Sequence, residues 1–155
     1  MLQELNIKNA ALIKSTNIEF NKGLNVLSGE TGAGKSMVIG SLMFALGSRV
    51  SRDFIRAGEG KAAVEAVFTK LPIAAKNYAE NAGIDCSDGV FIFSRTINRD
   101  GRTTARVNGT SVTASVLKEL SLKLVDIHSQ HEHHSLLNPA RHIDILDKFC
   151  SSEIE

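Results

Sequence analysis

The residues best suited to chemistry are the eight that read Gly29-Glu30-Thr31-Gly32-Ala33-Gly34-Lys35-Ser36. They match G-x-x-x-x-G-K-[ST], in which backbone N–H groups cradle phosphate oxygens, the lysine reaches the β- and γ-phosphates, and the serine hydroxyl can meet Mg²⁺. Glycine is required where a Cβ would block the anion or forbid the turn; Gly29, Gly32 and Gly34 fill that need, and Glu30, Thr31 and Ala33 contribute backbone. A second concentration lies at 128–137, HSQHEHHSLL, where His128, His131, His133 and His134 surround Gln130 and Glu132. Four imidazoles invite a zinc reading. Zinc needs ligands that converge, and these spacings offer neither a clear HxxxH nor a cysteine partner.

A phosphate loop needs a strand before it and a helix after it. Leu24 to Ser28 is the expected strand, and KSMVIGSLMFALG an apolar helix closed by Gly47. Upstream, Leu5 and Ile7, then Ile18 and Phe20, alternate with polar residues. With Asn21-Lys22-Gly23 as a hairpin turn, three short strands are predicted before the loop. Downstream, AAVEAVFTK has a strand period, and Pro72 and Gly83 bracket a short helix. VFIFSRTINRDGRTTARVNGTSV reads as two strands about an Asp100-Gly101 turn with a second turn at Asn108-Gly109, and Thr113 is placed to cap a further helix. A last helix is expected from near Pro139, with Ile143, Leu146 and Phe149 or Cys150 at helical spacing.

The chain has 155 residues, room for one domain but not for two full ones. Its 43% apolar and 23% charged residues argue against long disordered regions. A net charge of +1 points to no polyanionic partner, so any such contact must come from local patches. Cys86 and Cys150 form no CxxC and suit reduced thiols in a cytosol. The N-terminus lacks a signal-peptide core, and no run reaches the ~18 apolar residues of a membrane span. A soluble, cytoplasmic protein is expected.

Beyond the phosphate loop, the chain resembles the N-terminal head segment of the SMC-like ABC ATPases. The resemblance rests on LNIKNAALI followed by IEFNKGLNVLSGETGAGKSMVIGSLMFALGSR, on DFIRAGE followed by AVEAVF, on RTINRDGRTTARVNG, and on LVDIHSQHEHHSLLNPARHIDILD, nearly the whole chain. It implies an α/β fold: a P-loop NTPase, the ABC/SMC-type head N-terminal lobe, with mixed and antiparallel β-strands around the P-loop helix. Residues 1–138 would be that lobe and 139–155 the start of a helix leading to a coiled coil. The signature sequence, Walker B acid and switch histidine would then lie in a C-terminal half not contained in these residues, so the segment alone is expected to bind ATP weakly and hydrolyse little.

By resemblance, Gln130 holds the Q-loop position, where its amide oxygen would join Ser36 on Mg²⁺ and act with Lys35 in catalysis. The resemblance also implies that an arginine of SRVSRDFIRAG, Arg56 first and Arg52 second, reaches the nucleotide phosphates. Arg95, Arg99, Arg102 and Arg106, against Asp100, could line one phosphate-tracking face on the hairpin. With no Trp, any DNA contact is expected to be to the backbone. The implied activity is ATP hydrolysis in bacterial DNA double-strand break repair and recombination. Its partners would be DNA, the C-terminal half of the same head and a second head as homodimer, with no membrane, in a cytoplasmic, nucleoid-associated setting.

Other readings stay open. Leu122-Lys123-Leu124-Val125-Asp126 could be an apolar strand ending in a Walker B acid, which would make a self-contained P-loop kinase or other small NTPase. A non-catalytic nucleotide- or DNA-binding module, with Lys35 as a mere helix-start residue, is another. A GTPase is disfavoured, since no NKxD sequence is present.

Overall fold

The computed structural model describes residues 1–29 and 33–127. Glu30, Thr31 and Gly32, and the 128–155 stretch with Gln130 and the histidines, lie outside the described residues, as does the expected 138/139 boundary. Met1–Val125 forms one compact unit, and a second unit begins at Asp126.

The unit is a six-stranded sheet in the order β2-β1-β3-β4-β5-β6, built from β1 (Leu2–Ala10), β2 (Ile13–Glu19), β3 (Lys61–Thr69), β4 (Val90–Asn98), β5 (Thr103–Val107) and β6 (Thr110–Ser111). Every pairing among the described residues is antiparallel, the antiparallel part of the expected α/β fold. The alternation of side chains sorts the sheet into two faces. Leu5, Ile7, Ala62, Val64, Ala66, Phe68, Phe91, Phe93, Ile97 and Val107 are buried on one of them. Phe93 stands there edge-on to both Phe68 and Phe91, at centroid separations of 5.4 and 6.2 Å. The other face carries a row set by the register, Asn17–Asn6–Glu65–Ser94–Arg106–Ser111.

Three helices follow among the described residues: α1 (Ala33–Ala45), α2 (Ile73–Asn81) and α3 (Ala114–Leu122). Phe44 of α1, Ala75 and Ala79 of α2, and Leu117 and Leu120 of α3 are buried. Thr113 caps α3 as its sequence predicts, its hydroxyl accepting the Val116 N–H at 3.3 Å. Gly47, at φ +112°, takes the chain out of α1. No helix among the described residues is long and apolar enough to cross a membrane.

Two expected strands are absent. Asn21 to Gly23 does bend the chain, with Asn25 Oδ1 accepting the Asn21 N–H and Asn25 Nδ2 donating to Asn21 O, both at 2.9 Å. The residues after it make no ladder, and Leu24 is left 89% exposed and Val26 74%. The strand pattern is present, but no described strand lies alongside to pair with it. The run 122–126 is not a strand either: Leu122 closes α3, whose end is held by Lys123 N–H to Leu120 O, followed by Leu124 and Val125 N–H to Ser121 O. A Walker B strand cannot form there, which removes the structural basis of the self-contained kinase.

Candidate phosphate-binding site

The first turn of α1 carries Gly34, Lys35 and Ser36. Gly34 and Lys35 face a cleft of about 390 Å³ lined by Ile13, Thr16 and Ile18 of β2, Leu27 to Gly29, and Gly34, Lys35 and Val38. The Lys35 ammonium donates to the carbonyl of Gly29, closing the two ends of the loop on each other. An anion entering the cleft can compete for that ammonium. A Cβ built on Gly29 or Gly34 would meet nothing within 4 Å, so the space beside both glycines is open. N–H groups at a helix start, a lysine and an open glycine-lined floor are the donor set that a phosphate group needs. The residues present therefore fit a nucleotide's phosphates, and Ser36, exposed in the same turn, is available to a metal ion bound with them.

The far end of α1 is held from outside the helix. Arg95, on the core face of β4 and only 4% exposed, donates from Nη1 to Phe44 O and to Ser48 O, each at 2.7 Å. Its guanidinium carbon lies 4.6 Å from the centre of the Phe44 ring. Ser121 Oγ of α3 donates to Leu46 O at 3.0 Å. Burial lowers the pKa of Arg95, whose charge meets carbonyl dipoles and a ring face rather than a carboxylate among the described residues.

These contacts correct the single arginine face expected on the hairpin. Arg95 and Arg106 point to opposite faces, because Arg106 pairs with Ser94 and the period of two puts Arg95 on the other side. Arg95 is in the core; Arg106 is exposed. Arg99 and Arg102 sit exposed at the turn between β4 and β5, beside the segment that follows α1. Arg99 Nε donates to Glu59 O at 2.7 Å, and Arg52 Nη2 reaches Asp100 O at 3.5 Å.

Arg56 is also placed otherwise than expected. It does not line the cleft. Its Nη1 donates to Leu12 O at 2.6 Å, and its N–H to Asn9 O at 2.9 Å, so it clasps the turn between β1 and β2. Asn9 near the end of β1 and Ala11 in the turn have positive φ without being glycine, and the Ala11 N–H bond to Phe54 O at 2.8 Å helps fix the turn from outside. The wall supplied by Ile13, Thr16 and Ile18 was missed in the sequence, where these residues show only as strand alternation. Gln130 and the histidines fall outside the described residues.

The profile of the family described as "AAA domain" matches residues 4–154. The DNA repair protein RecN of Halalkalibacterium halodurans is 43% identical over 158 aligned residues, which cover 100% of this chain and 28% of that protein. RecN of Bacillus subtilis is 41% identical, again over the whole chain and 27% of the relative. The chain thus spans little more than a quarter of these relatives' length. Among solved structures, an SMC head bound to the C-terminal winged-helix domain of ScpA has a TM-score of 0.61 at 25% identity, covering 77% of this chain and 39% of that one. A chain from structural work on ATP-driven dimerization and DNA-stimulated activation of SMC ATPases matches at TM-score 0.64 and 22% identity, covering 96% and 98%, and supports the fold alone.

Proposed function

The chain belongs to the AAA domain family, and from that premise we propose that it is the ATP-binding N-terminal part of an SMC-like ATPase acting in DNA double-strand break repair and recombination. The observation that carries the reading is the open cleft in which Gly29, Gly34 and Lys35 meet at the start of α1. Identity to RecN proteins over the whole chain supports the repair role.

In this reading the N–H groups of 29–36 and the Lys35 ammonium hold the phosphates, and Ile13, Thr16 and Ile18 wall the cleft. Mg²⁺, when bound, would neutralise charge on the phosphate oxygens, and Ser36 and Gln130 would hold it by hydroxyl and amide oxygens. Arg56 belongs to the turn it clasps.

Two surfaces support further partners. Leu24, Val26 and Leu27 before the loop and Ile39 on α1 are exposed apolar side chains, suited to cover by the C-terminal half of the same head. Exposed Arg99, Arg102 and Arg106 are suited to DNA phosphates, with Arg99 and Arg102 at one end of the sheet and Arg106 on its open face. Paired heads would close around two nucleotides and reopen on hydrolysis, in a cytoplasmic, nucleoid-associated protein.

Titrating the chain with MgATP beside Lys35→Ala tests the central claim. Binding should be weak in the wild type and reduced at least tenfold in the variant; equal affinities would refute it. Robust ATP turnover by the chain as a monomer would count against the divided head.

A further inference from the structure

We infer that Arg95 is a positioning residue for the phosphate loop: from the core of the sheet it fixes the C-terminus of the helix whose N-terminus holds the phosphates. The inference rests on the nucleotide reading above and adds a residue that never touches the ligand.

A guanidinium 4% exposed, with no carboxylate partner among the described residues, is a costly way to fill a core, and an apolar side chain of similar volume often serves stability as well or better. What an apolar residue cannot do is bond to carbonyls. Both Nη1 bonds of Arg95 go to the exit of α1, Phe44 O and Ser48 O, and the same guanidinium stacks on the Phe44 ring. The positive charge therefore sits at the negative end of the helix dipole. Ser121 holds Leu46 O from α3, so this exit is gripped by the sheet and by a neighbouring helix.

The opposite end of the same rod is the site. Lys35 and Phe44 are separated by about 14 Å of helix at ~1.5 Å per residue. A straight helix transmits a shift at one end to the other, and a misplacement of about 1 Å can cost on the order of 10²-fold in a positioned site. The segment leading into the loop, 24–28, makes no ladder bonds that could take over this positioning. With the packing of α1 on β1, β3 and β4, the grip on the far end of α1 contributes to the register of Gly34 and Lys35 against the β2 wall.

The test uses the 155-residue chain, with MgATP as probe and Lys35→Ala as the control for specific binding. In Arg95→Met, melting followed by circular dichroism should stay near wild type while ATP affinity falls about tenfold. Arg95→Lys, which can still donate to both carbonyls, should recover most of the affinity. A merely structural arginine would alter melting and leave affinity intact in whatever remains folded. Wild-type affinity in Arg95→Met overturns the inference. Should Arg95→Met fail to fold, hydrogen exchange in the wild type decides: MgATP should slow exchange of the Leu46, Gly47 and Ser48 amides, and unchanged exchange there, with protection only at the loop, overturns it. If wild type and Lys35→Ala are alike in failing to bind MgATP, the nucleotide reading falls, and this inference with it.

Discussion

Replacing Gly34 with alanine separates binding from folding more cleanly than any other single change. Gly34 lies in the first turn of α1, its φ is not positive, and a Cβ placed on it meets no atom within 4 Å. Nothing in the fold opposes the methyl group. Alanine is worth up to about 1 kcal/mol over glycine inside a helix, and it reduces the freedom of the unfolded chain by about 0.4–1 kcal/mol, two views of largely the same gain. At the helix start the expected gain is about 0.5 kcal/mol. With a urea m-value of about 2 kcal/mol/M, the unfolding midpoint should rise by about 0.25 M. Yet Gly34 lines the cleft, and the empty space above it is where a phosphate oxygen would come closest to the backbone. A methyl group there should reduce MgATP affinity by at least tenfold, or about 1.4 kcal/mol. Urea denaturation and an ATP titration on the same preparation measure both sides. A variant that is more stable and binds ATP normally would refute the assignment of this cleft to phosphate; a clearly destabilised variant would show that the methyl group is opposed at the start of α1.

Gly47→Ala should do the reverse. At φ +112° an L side chain is strained, by about 1–2 kcal/mol, while its Cβ would meet Lys118 only at ordinary contact distances of 3.6–3.7 Å; the urea midpoint should fall, and a neutral result would exclude the positive φ. At Cys86, burial first and Glu80 second push the thiol up, outweighing the nearby Lys76. A raised folded-state pKa favours the neutral thiol, so its stability contribution is present below the unfolded value of about 8.5 and is lost as pH rises through the folded one. In a Cys150→Ser background, stability should drop above about pH 8.5 more steeply than in the additional Cys86→Ala variant; identical profiles would contradict this. Arg102→Glu in the whole protein should weaken DNA binding and lower the slope of log K against log salt by about one, whereas an unchanged slope would remove the β4–β5 turn from the DNA contact.

How much of this was legible in the sequence follows from the range of the interactions. Thr113 capping α3, Gly47 ending α1 and the turns at Asp100-Gly101 and Asn108-Gly109 are settled within a few residues of each, and local chemistry foretold them. At Asn108 the φ of +48° is the local part, whereas its side-chain bonds to Val90 O and Ile92 N reach 18 and 16 residues back along the chain. The split of the arginines depended on register: alternation along β4 places Arg95 with Phe91, Phe93 and Ile97, and the pairing of Ser94 with Arg106 puts Arg106 on the other face. Arg56 could not be placed from its neighbours either, because its acceptor, Leu12 O, is 44 residues away. The phosphate loop was legible as a pattern, but its β2 wall became visible only when the edge strand was set beside α1.

The unpaired stretch before the loop has the widest consequence. Leu24 and Val26 alternate about Asn25 as they would on a pleated strand, and burial of such side chains is favourable by about 25 cal/mol per Å². Here they are 89% and 74% exposed, and no ladder holds their backbone. A phosphate cradle works through N–H groups fixed in advance of binding. Its helix side is held by Arg95 and Ser121; its strand side has no ladder among the described residues, only the Asn21–Asn25 bonds and the Lys35 bond to Gly29 O. Under the proposed reading, a strand supplied by the C-terminal half of the head would bury Leu24 and Val26 and give 24–28 a ladder in one step. Docking and nucleotide binding are then a single linked equilibrium, and linkage requires each to strengthen the other by the same factor. A docked C-terminal half that left MgATP affinity unchanged would show that the strand side of the cradle needs no partner.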